Sequence, residues 1–303
     1  MRIMRGDPRV WDVQDAAVVI GMLDGVHRGH QALIEHLKTE GEGLIPTVLT
    51  FEPHPRVILS PGNPPPRLSS LSRKAELLKE HGIEVLAIAD FTEEFSRLTP
   101  EEFCSTFLVT GLDARLVAVA DQFRFGVDGS GTVADLKAWG AAMGFDVSPI
   151  SPAMDGAQKI SSTAIREAVA AGDMLTAARQ LGRPFRLTGT VIEGRRMGRD
   201  IGFPTANLEL DEDLAIPRHG VYRAEALLGQ ARYRAAVNVG VRPTMDGDGA
   251  ETVEAHLLDF EDDCYGRELS LDFIERIRDE QRFDSVDSLR AQIKHDVEQV
   301  RQG

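Results

Sequence analysis

Two rhythms of apolar positions run along this chain, and the change from one to the other falls near its middle. In the first half, short β-branched runs alternate with stretches whose apolar residues recur every three or four positions. "AAVVIGM" (Ala16–Met22) is too short for a helix and too apolar for a solvated strand, so it predicts a strand buried on both faces. "HQALIEHLKTEG" follows, with Leu33, Ile34 and Leu37 on one helical face and Gly41 as its stop. "PTVLTF", "IEVLAIADF", "ARLVAVA" and "FDVSPI" read as further strands. "RKAELLKEHG", "TPEEFCSTFLVTG" and "VADLKAWGAAMG" read as helices, and "EPHPRVILSPGNPPPR" is dense enough in proline to predict an irregular loop. This alternation predicts an α/β domain whose parallel sheet is covered by helices on both faces.

Around Ser161 the pattern changes. "SSTAIREAVAAGDMLTAARQLG" predicts two helices, the second capped by Asp173 and closed by Gly182. Period-two segments follow: "FRLTGTVIEG", "GVYRAEALLG", "ARYRAAVNVG", "TVEAHLLDF" and "ELSLDFIERI", separated by glycine-containing turns. They predict a small antiparallel β-barrel. The terminal stretch places Val286, Leu289, Ile293, Val297 and Val300 on one face of a closing helix. The expected organisation is one domain over residues 1–182 and a second over 183–303.

Composition adds limits. With 42% hydrophobic and 27% charged residues, the chain has material for sizeable cores. No apolar run approaches the roughly 18 to 20 residues that span a bilayer. "MRIMRGDPRVWDVQ" lacks the apolar region of a signal peptide. The two cysteines, Cys104 and Cys264, stand far apart without metal-ligand spacing and read as reduced thiols. These features predict a cytoplasmic protein with no membrane association. A net charge of −14, with the same acidic excess on either side of Gly182, argues against a protein that coats nucleic acid. Phosphate chemistry against this background requires local arginines, backbone amides and a metal ion.

One candidate for such chemistry is "GMLDGVHRGH", residues 21 to 30, at the carboxyl end of the first apolar strand, where open parallel sheets bind ligands. Gly21, Gly25 and Gly29 allow sharp turns and close approach of a ligand. His27 and His30 lie at the opening of the next helix, whose amides and dipole favour an anion. Three readings stand: a phosphate cradle, which uses every one of these features, a tight turn with incidental histidines, and a metal pair, which uses the histidines alone. "KISSTAIRE" offers Ser161, Ser162 and Thr163 at a helix start with Arg166 one turn in, suited to phosphate or to an ordinary capped helix.

In the second half, "EGRRMGRDIGFPTANLEL" mixes Arg195, Arg196 and Arg199 with glycines, as a loop closing over polyphosphate would, or as a basic surface loop would. Thr205 and Asn207 lie two apart, hence on the same side of an extended backbone, where a hydroxyl and an amide oxygen can hold Mg²⁺. Downstream, Val253, Ala255 and Leu257 alternate with Glu254 and His256. A carboxylate fixed on a strand can serve as a general base or simply face solvent.

The combination of HxGH, "TFEPHP", "FRFG" and ISSTxIR resembles the nucleotidyltransferase module of the bacterial bifunctional riboflavin kinase/FMN adenylyltransferases, also called FAD synthetases. Residues 183 to 301, with GRxxGFPTANL, "AVNVGVRPT", "VEAHLLDF" and "CYGRELSLDFIERIRDEQRFDS", are similar to the kinase module of the same family. The resemblance implies a Rossmann-like nucleotidyltransferase domain followed by a small antiparallel β-barrel domain with a C-terminal helix. It implies riboflavin, FMN and ATP as substrates, FAD as product and Mg²⁺ as cofactor. His27, His30 and Arg166 would then act on the phosphates of adenylyl transfer, with Gly21, Asp24, Gly29, His54, Ser162 and Thr163 around the nucleotide. Phe123 and Phe125 would border the flavin there. In the kinase, Arg195, Arg199, Thr205 and Asn207 would hold ATP, Thr205 and Asn207 also its Mg²⁺. Glu254 would be the base, and Arg278 and Phe283 would border the flavin. The chain departs from the family's usual residues at Met22, Leu23 and Ala120–Gln122. These departures leave open a second reading, a kinase whose first domain no longer transfers adenylyl groups.

Overall fold

A computed structural model describes residues 1–194, 201–211, 213–242 and 250–302. Its contacts divide the chain into two units, one of Met1–Pro65 with Leu71–Ser161 and the other of Pro66–Ser70 with Ser162–Gly303.

In the first unit, β1 (Arg2–Arg5), β2 (Ala16–Ile20), β3 (Ile45–Glu52), β4 (Val85–Asp90), β5 (Ala114–Ala120) and β6 (Asp146–Ile150) form a sheet in the order β1-β4-β3-β2-β5-β6, every pairing parallel. Every residue of β2 is buried. Its side chains alternate between two cores: Ala16, Val18 and Ile20 join Leu49, Phe107 and Val117, whereas Ala17 and Val19 join Leu33, Ile34, Leu37 and Leu78. That is the expected covering of a parallel strand on both faces. The second core takes its helical layer from α1 (Arg28–Glu40) and α3 (Leu71–Glu80).

Two local expectations are corrected, and one strand is added to those expected. The proline-dense segment contains a short helix, α2 (Pro55–Leu59), because a proline at the first helical position lacks only an N–H that would be unpaired anyway. The helix expected across "TPEEFCSTFLVTG" follows α4 (Glu93–Ser96) as α5 (Pro100–Phe103) and then runs on as a wider π-helical turn over Cys104–Gly111. Strand β1 carries no apolar alternation and takes its conformation from pairing with β4. After α6 (Val133–Met143) and β6, a small hairpin, β7 (Met154–Asp155) with β8 (Gln158–Lys159), precedes the second unit.

The second unit begins with α7 (Ser162–Ala171) and α8 (Met174–Leu181). Asp173 accepts the Thr176 amide as the cap of α8, and Gly182 closes it at φ 75°. A closed barrel follows: β9 (Phe185–Ile192), β10 (Ala206–Glu209), β11 (Gly220–Leu228), β12 (Ala231–Arg242), β13 (Ala250–Leu257) and β14 (Glu268–Arg278), in the order β10-β13-β12-β11-β14-β9. Its interior, with Leu187, Val191, Tyr222, Val237, Ala255 and Phe273, shares one core with Ile165, Val169, Met174 and Leu181. By packing, α7 and α8 therefore accompany the barrel. Residues 66–70 do so as well: the Arg67 amide donates to Asp213 O at 2.6 Å, and Leu68 enters the barrel core.

The terminal helix, α9 (Val286–Gln302), lies against the outside of the barrel through Ile293, Val297 and Val300, packed with Leu258, Ala236 and Phe203. Its expected apolar face is shorter than the pattern suggested. Val286, in the first turn, is 60% exposed and takes no part in that packing.

Candidate active sites

Sheet order locates the first site. From β2 the chain continues to β3 and β4 on one side, and later to β5 and β6 on the other. The connections therefore diverge between β2 and β5, and a crevice opens beyond the carboxyl ends of those two strands. The segment after β2 is "GMLDGVHRGH", and the one after β5 is "DQFRFG".

The first of these loops is held under backbone strain. Leu23 and Val26 take φ of 46° and 39° although neither is glycine, and both are buried. A β-branched residue rarely adopts that region, so packing must impose it. Met22 O accepts the Thr50 hydroxyl at 3.2 Å, and Val26 O accepts the Gln31 side-chain amide at 2.9 Å. Asp24 and His27 are buried. His27 caps α1: its Nδ1 accepts the His30 amide at 3.3 Å, which places the His27 ring proton on Nε2. The rings of His27 and His30 stack with centroids 3.6 Å apart. Gly29 makes room for this pair, since a Cβ there would sit 3.0 Å from His27 Cε1. Two imidazoles at a helix N-terminus form a compact anion-facing group.

The neighbouring loops are also ordered. His54 caps α2, its Nδ1 accepting the Arg56 amide at 3.1 Å, which accounts locally for its proline-flanked setting. Behind it Glu52 and Lys74 form a buried pair at 3.4 Å. Phe123 and Phe125 stack with centroids 5.6 Å apart, and Phe125 is buried against Phe103. Gln122 accepts from Lys159 Nζ at 3.4 Å.

The second site lies on the outer face of the barrel. Asn207 on β10 stands opposite Glu254 on β13, and Glu254 stands opposite Asn238 on β12. Cross-strand partners project to the same face, so the three side chains form one row. Their strand neighbours Ala206, Leu208, Val253, Ala255, Val237 and Val239 are buried in the barrel interior, which fixes the row as outward-facing. Glu254 and His256 thus point away from Val253, Ala255 and Leu257, as their alternation predicts.

A cavity of about 480 Å³ takes in Asn207, at one end of this row, together with the inward-facing Ala206, Ala255 and Leu257. Its lining includes Glu193, Gly194, Thr205, Asn207, Cys264 and Tyr265. Asn207 is buried and belongs to both the cavity and the row. A Cβ on Gly194 would collide with the Asn207 carboxamide, so only glycine lets the backbone pass so near. The Thr205 hydroxyl and the Asn207 amide are oxygen donors of the kind Mg²⁺ accepts, and the remaining positions would fall to waters and phosphate. Burial pushes the Cys264 thiol above its ordinary pKa, which favours the neutral thiol.

The comparisons with known proteins agree along the whole chain. A FAD synthetase family model matches residues 10–164, and a riboflavin kinase model matches 181–303. The bifunctional riboflavin kinase/FMN adenylyltransferase of Escherichia coli K12 is 38% identical over 301 residues, covering 98% of this chain and 96% of that protein. Its counterpart in Listeria monocytogenes is 35% identical, covering 96% and 93%. The chain belongs to the bifunctional riboflavin kinase/FMN adenylyltransferase family. A solved structure from Streptococcus pneumoniae, named a macrolide-efflux protein, is 33% identical and superposes with a TM-score of 0.92 over 100% of both chains. Among the described residues no helix is long and apolar enough to cross a membrane.

The other residues implied by membership in this family fall as follows. Ser162 and Thr163 open α7, and Arg166 donates through Nε to Pro66 O at 2.6 Å. Arg278 ends β14 and is committed to Asp296 of α9 through several hydrogen bonds of 2.6 to 3.1 Å, with its guanidinium 6.0 Å from the Phe283 ring. Arg195 and Arg199 lie outside the described residues. Sequence reading missed Gly194 and Asn238. Gly194 was hidden among other glycines, and Asn238 becomes visible only through its pairing with Glu254.

Proposed function

We infer that this chain makes both flavin cofactors, transferring the γ-phosphoryl group of ATP to riboflavin and then the adenylyl group of a second ATP to the resulting FMN. FAD and pyrophosphate leave the second reaction. A family model for each module favours this reading over a kinase alone. Adenylyl transfer is assigned to residues 1–182 and the kinase to residues 183–303.

In the kinase, ATP occupies the cavity beside Thr205 and Asn207. Carboxylates of Glu193, Asp262 and Asp263 also line that cavity, which disfavours a naked triphosphate and favours its metal complex. Mg²⁺, held by Thr205 and Asn207, would neutralise charge on the phosphate oxygens. Glu254, next to Asn207 in the row, accepts the proton of the riboflavin terminal hydroxyl as that hydroxyl's oxygen attacks the γ-phosphorus, whose bond to the β–γ bridging oxygen breaks to release ADP. Positioning and charge neutralisation supply most of the acceleration in phosphoryl transfer. The observation that carries this reading is the register that sets Glu254 against Asn207.

In adenylyl transfer, an FMN phosphate oxygen attacks the α-phosphorus of ATP. His27 and His30 stabilise the charge that develops on the α-phosphate oxygens. Phe123 and Phe125 border the flavin. Both reactions use small molecules in the cytoplasm, and neither involves nucleic acid.

The test is a paired product assay. Pure protein with Mg²⁺ and ATP is given riboflavin or FMN, and products are resolved by chromatography. FMN from the first and FAD from the second are expected. Riboflavin phosphorylation without FAD from supplied FMN would overturn the assignment to residues 1–182.

A further inference from the structure

We propose that Asn238 binds the hydroxyl chain of the alcohol acceptor, beside the hydroxyl that Glu254 deprotonates, and so selects a linear polyol over a plain alcohol. The inference rests on the reading of Glu254 as the base.

The row across the barrel has a direction. At one end Asn207 belongs to the cavity that suits the phosphate donor. Glu254 comes next, then Asn238, and Asn238 does not line that cavity. The attacking hydroxyl must reach the γ-phosphorus directly while its proton faces Glu254, so with the donor on the Asn207 side the rest of the acceptor extends along the row toward Asn238. Directly opposed residues hold their Cβ atoms about 4.5 to 5.5 Å apart. That is the spacing needed for two side chains to contact neighbouring hydroxyls of one chain.

The outward positions of β12 shape the approach. Ala236 is packed under the apolar residues of α9. Gly240 carries no side chain, and a Cβ there would collide with the Glu280 carboxylate. Asn238 lies between them, half-buried, with no side-chain hydrogen bond among the described residues. The segment that brings Glu280 there is anchored, because Asp279 pairs with Arg276 Nη2 at 2.5 Å, which holds its carboxyl below the usual carboxylate range. Asn238 thus forms a carboxamide floor between Ala236, covered by α9, and Gly240, backed by Glu280.

Chemistry then names the occupant. A carboxamide both donates and accepts, as a hydroxyl does, and it adds no charge beside the base. The neighbouring hydroxyls of a sugar-alcohol chain match this floor.

Three variants of the full chain are compared with wild type at saturating Mg²⁺-ATP, using riboflavin and a flavin whose side chain lacks the hydroxyl next to the terminal one. Wild type should prefer riboflavin by about tenfold in kcat/KM. Asn238→Ala should raise the riboflavin KM about tenfold, leave the ATP KM unchanged and abolish the preference. Asn238→Asp, nearly isosteric, loses the amide donor and should also raise the riboflavin KM, with the ATP KM unchanged. FAD formation from supplied FMN should stay at the wild-type rate in both, as a control for folding. Glu254→Gln separates the two claims: an active Glu254→Gln overturns the base assignment itself. With Glu254→Gln inactive, an undiminished acceptor preference in Asn238→Ala overturns the role of Asn238. So does an unchanged riboflavin KM in Asn238→Asp.

Discussion

Asn207 and Glu254 face one another across β10 and β13, one buried at the edge of the nucleotide-sized cavity and the other just beyond it. The contact between donor and acceptor chemistry is therefore one cross-strand pair wide. Glu254→Gln removes the base while keeping shape, and should lower FMN formation at least about a hundredfold. Adenylation of supplied FMN should continue unchanged. Initial rates of both products measure this, and an equal loss of both would refute the separation of sites.

Gly194 touches the same pair from the other side. A methyl group there would displace the Asn207 carboxamide. Misplacement of about 1 Å at a phosphoryl-transfer site can cost about a hundredfold. Gly194→Ala should therefore depress kinase kcat/KM by that order, with thermal stability close to wild type. A variant that binds and turns over ATP normally would show that Asn207 has no part in holding the nucleotide.

At the other site, removal of His30 should abolish FAD formation by about a hundredfold or more and spare the kinase. Gly29→Ala gives a subtler probe. Its Cβ would lie 3.0 Å from His27 Cε1 and 3.1 Å from Nδ1, pressing on the stacked rings. Adenylyl transfer should fall while riboflavin phosphorylation holds, measured in the same paired assay.

Stability should carry an acid-side signature. The carboxyl of Asp173 is held below its ordinary value by the Thr176 amide it caps. A lowered folded-state pKa gives stability that is fully present above the unfolded value and is lost as pH falls through the folded one. Asp173→Asn keeps an acceptor but not the charge. Wild type should be the more stable near neutral pH by roughly 0.3–1 kcal/mol, and the gap should close in acid. Urea midpoints across pH 2 to 7 measure it, and a constant gap would assign the stabilisation to the hydrogen bond alone.

Cysteine chemistry gives a last check. Burial pushes the Cys104 thiol up to about 12, so it should resist alkylation in the folded chain. Cys264 lines the cavity, and any slow labelling there should be retarded further by Mg²⁺-ATP. Peptide mapping after iodoacetamide distinguishes the two, and labelling of Cys264 indifferent to nucleotide would place ATP elsewhere.

Much of this architecture is legible in the order of residues. Five consecutive apolar residues in β2 announce a strand covered on both sides, and Gly41, Asp173 and Gly182 mark helix ends through backbone chemistry that operates locally. Alternation in β13 sets Glu254 apart from Val253 and Ala255 before any contact is known. The edge strand β1 and the helix α2 were not legible, because their conformations depend on a neighbouring strand and on the first-turn tolerance for proline.

Local pattern determined which segments would be strands, which would be helices, and which residue types faced outward from the barrel. Only the folded chain decided that Asn207, Glu254 and Asn238 form one row, because register between strands is set by long-range pairing and leaves no periodic trace in any single strand. The stacking of His27 on His30 and the commitment of Arg278 to Asp296 were likewise decided in three dimensions. Amphipathic helices such as α7 disclose that they cover a core but not whose core it is, which is why its partnership with the barrel waited for the structure.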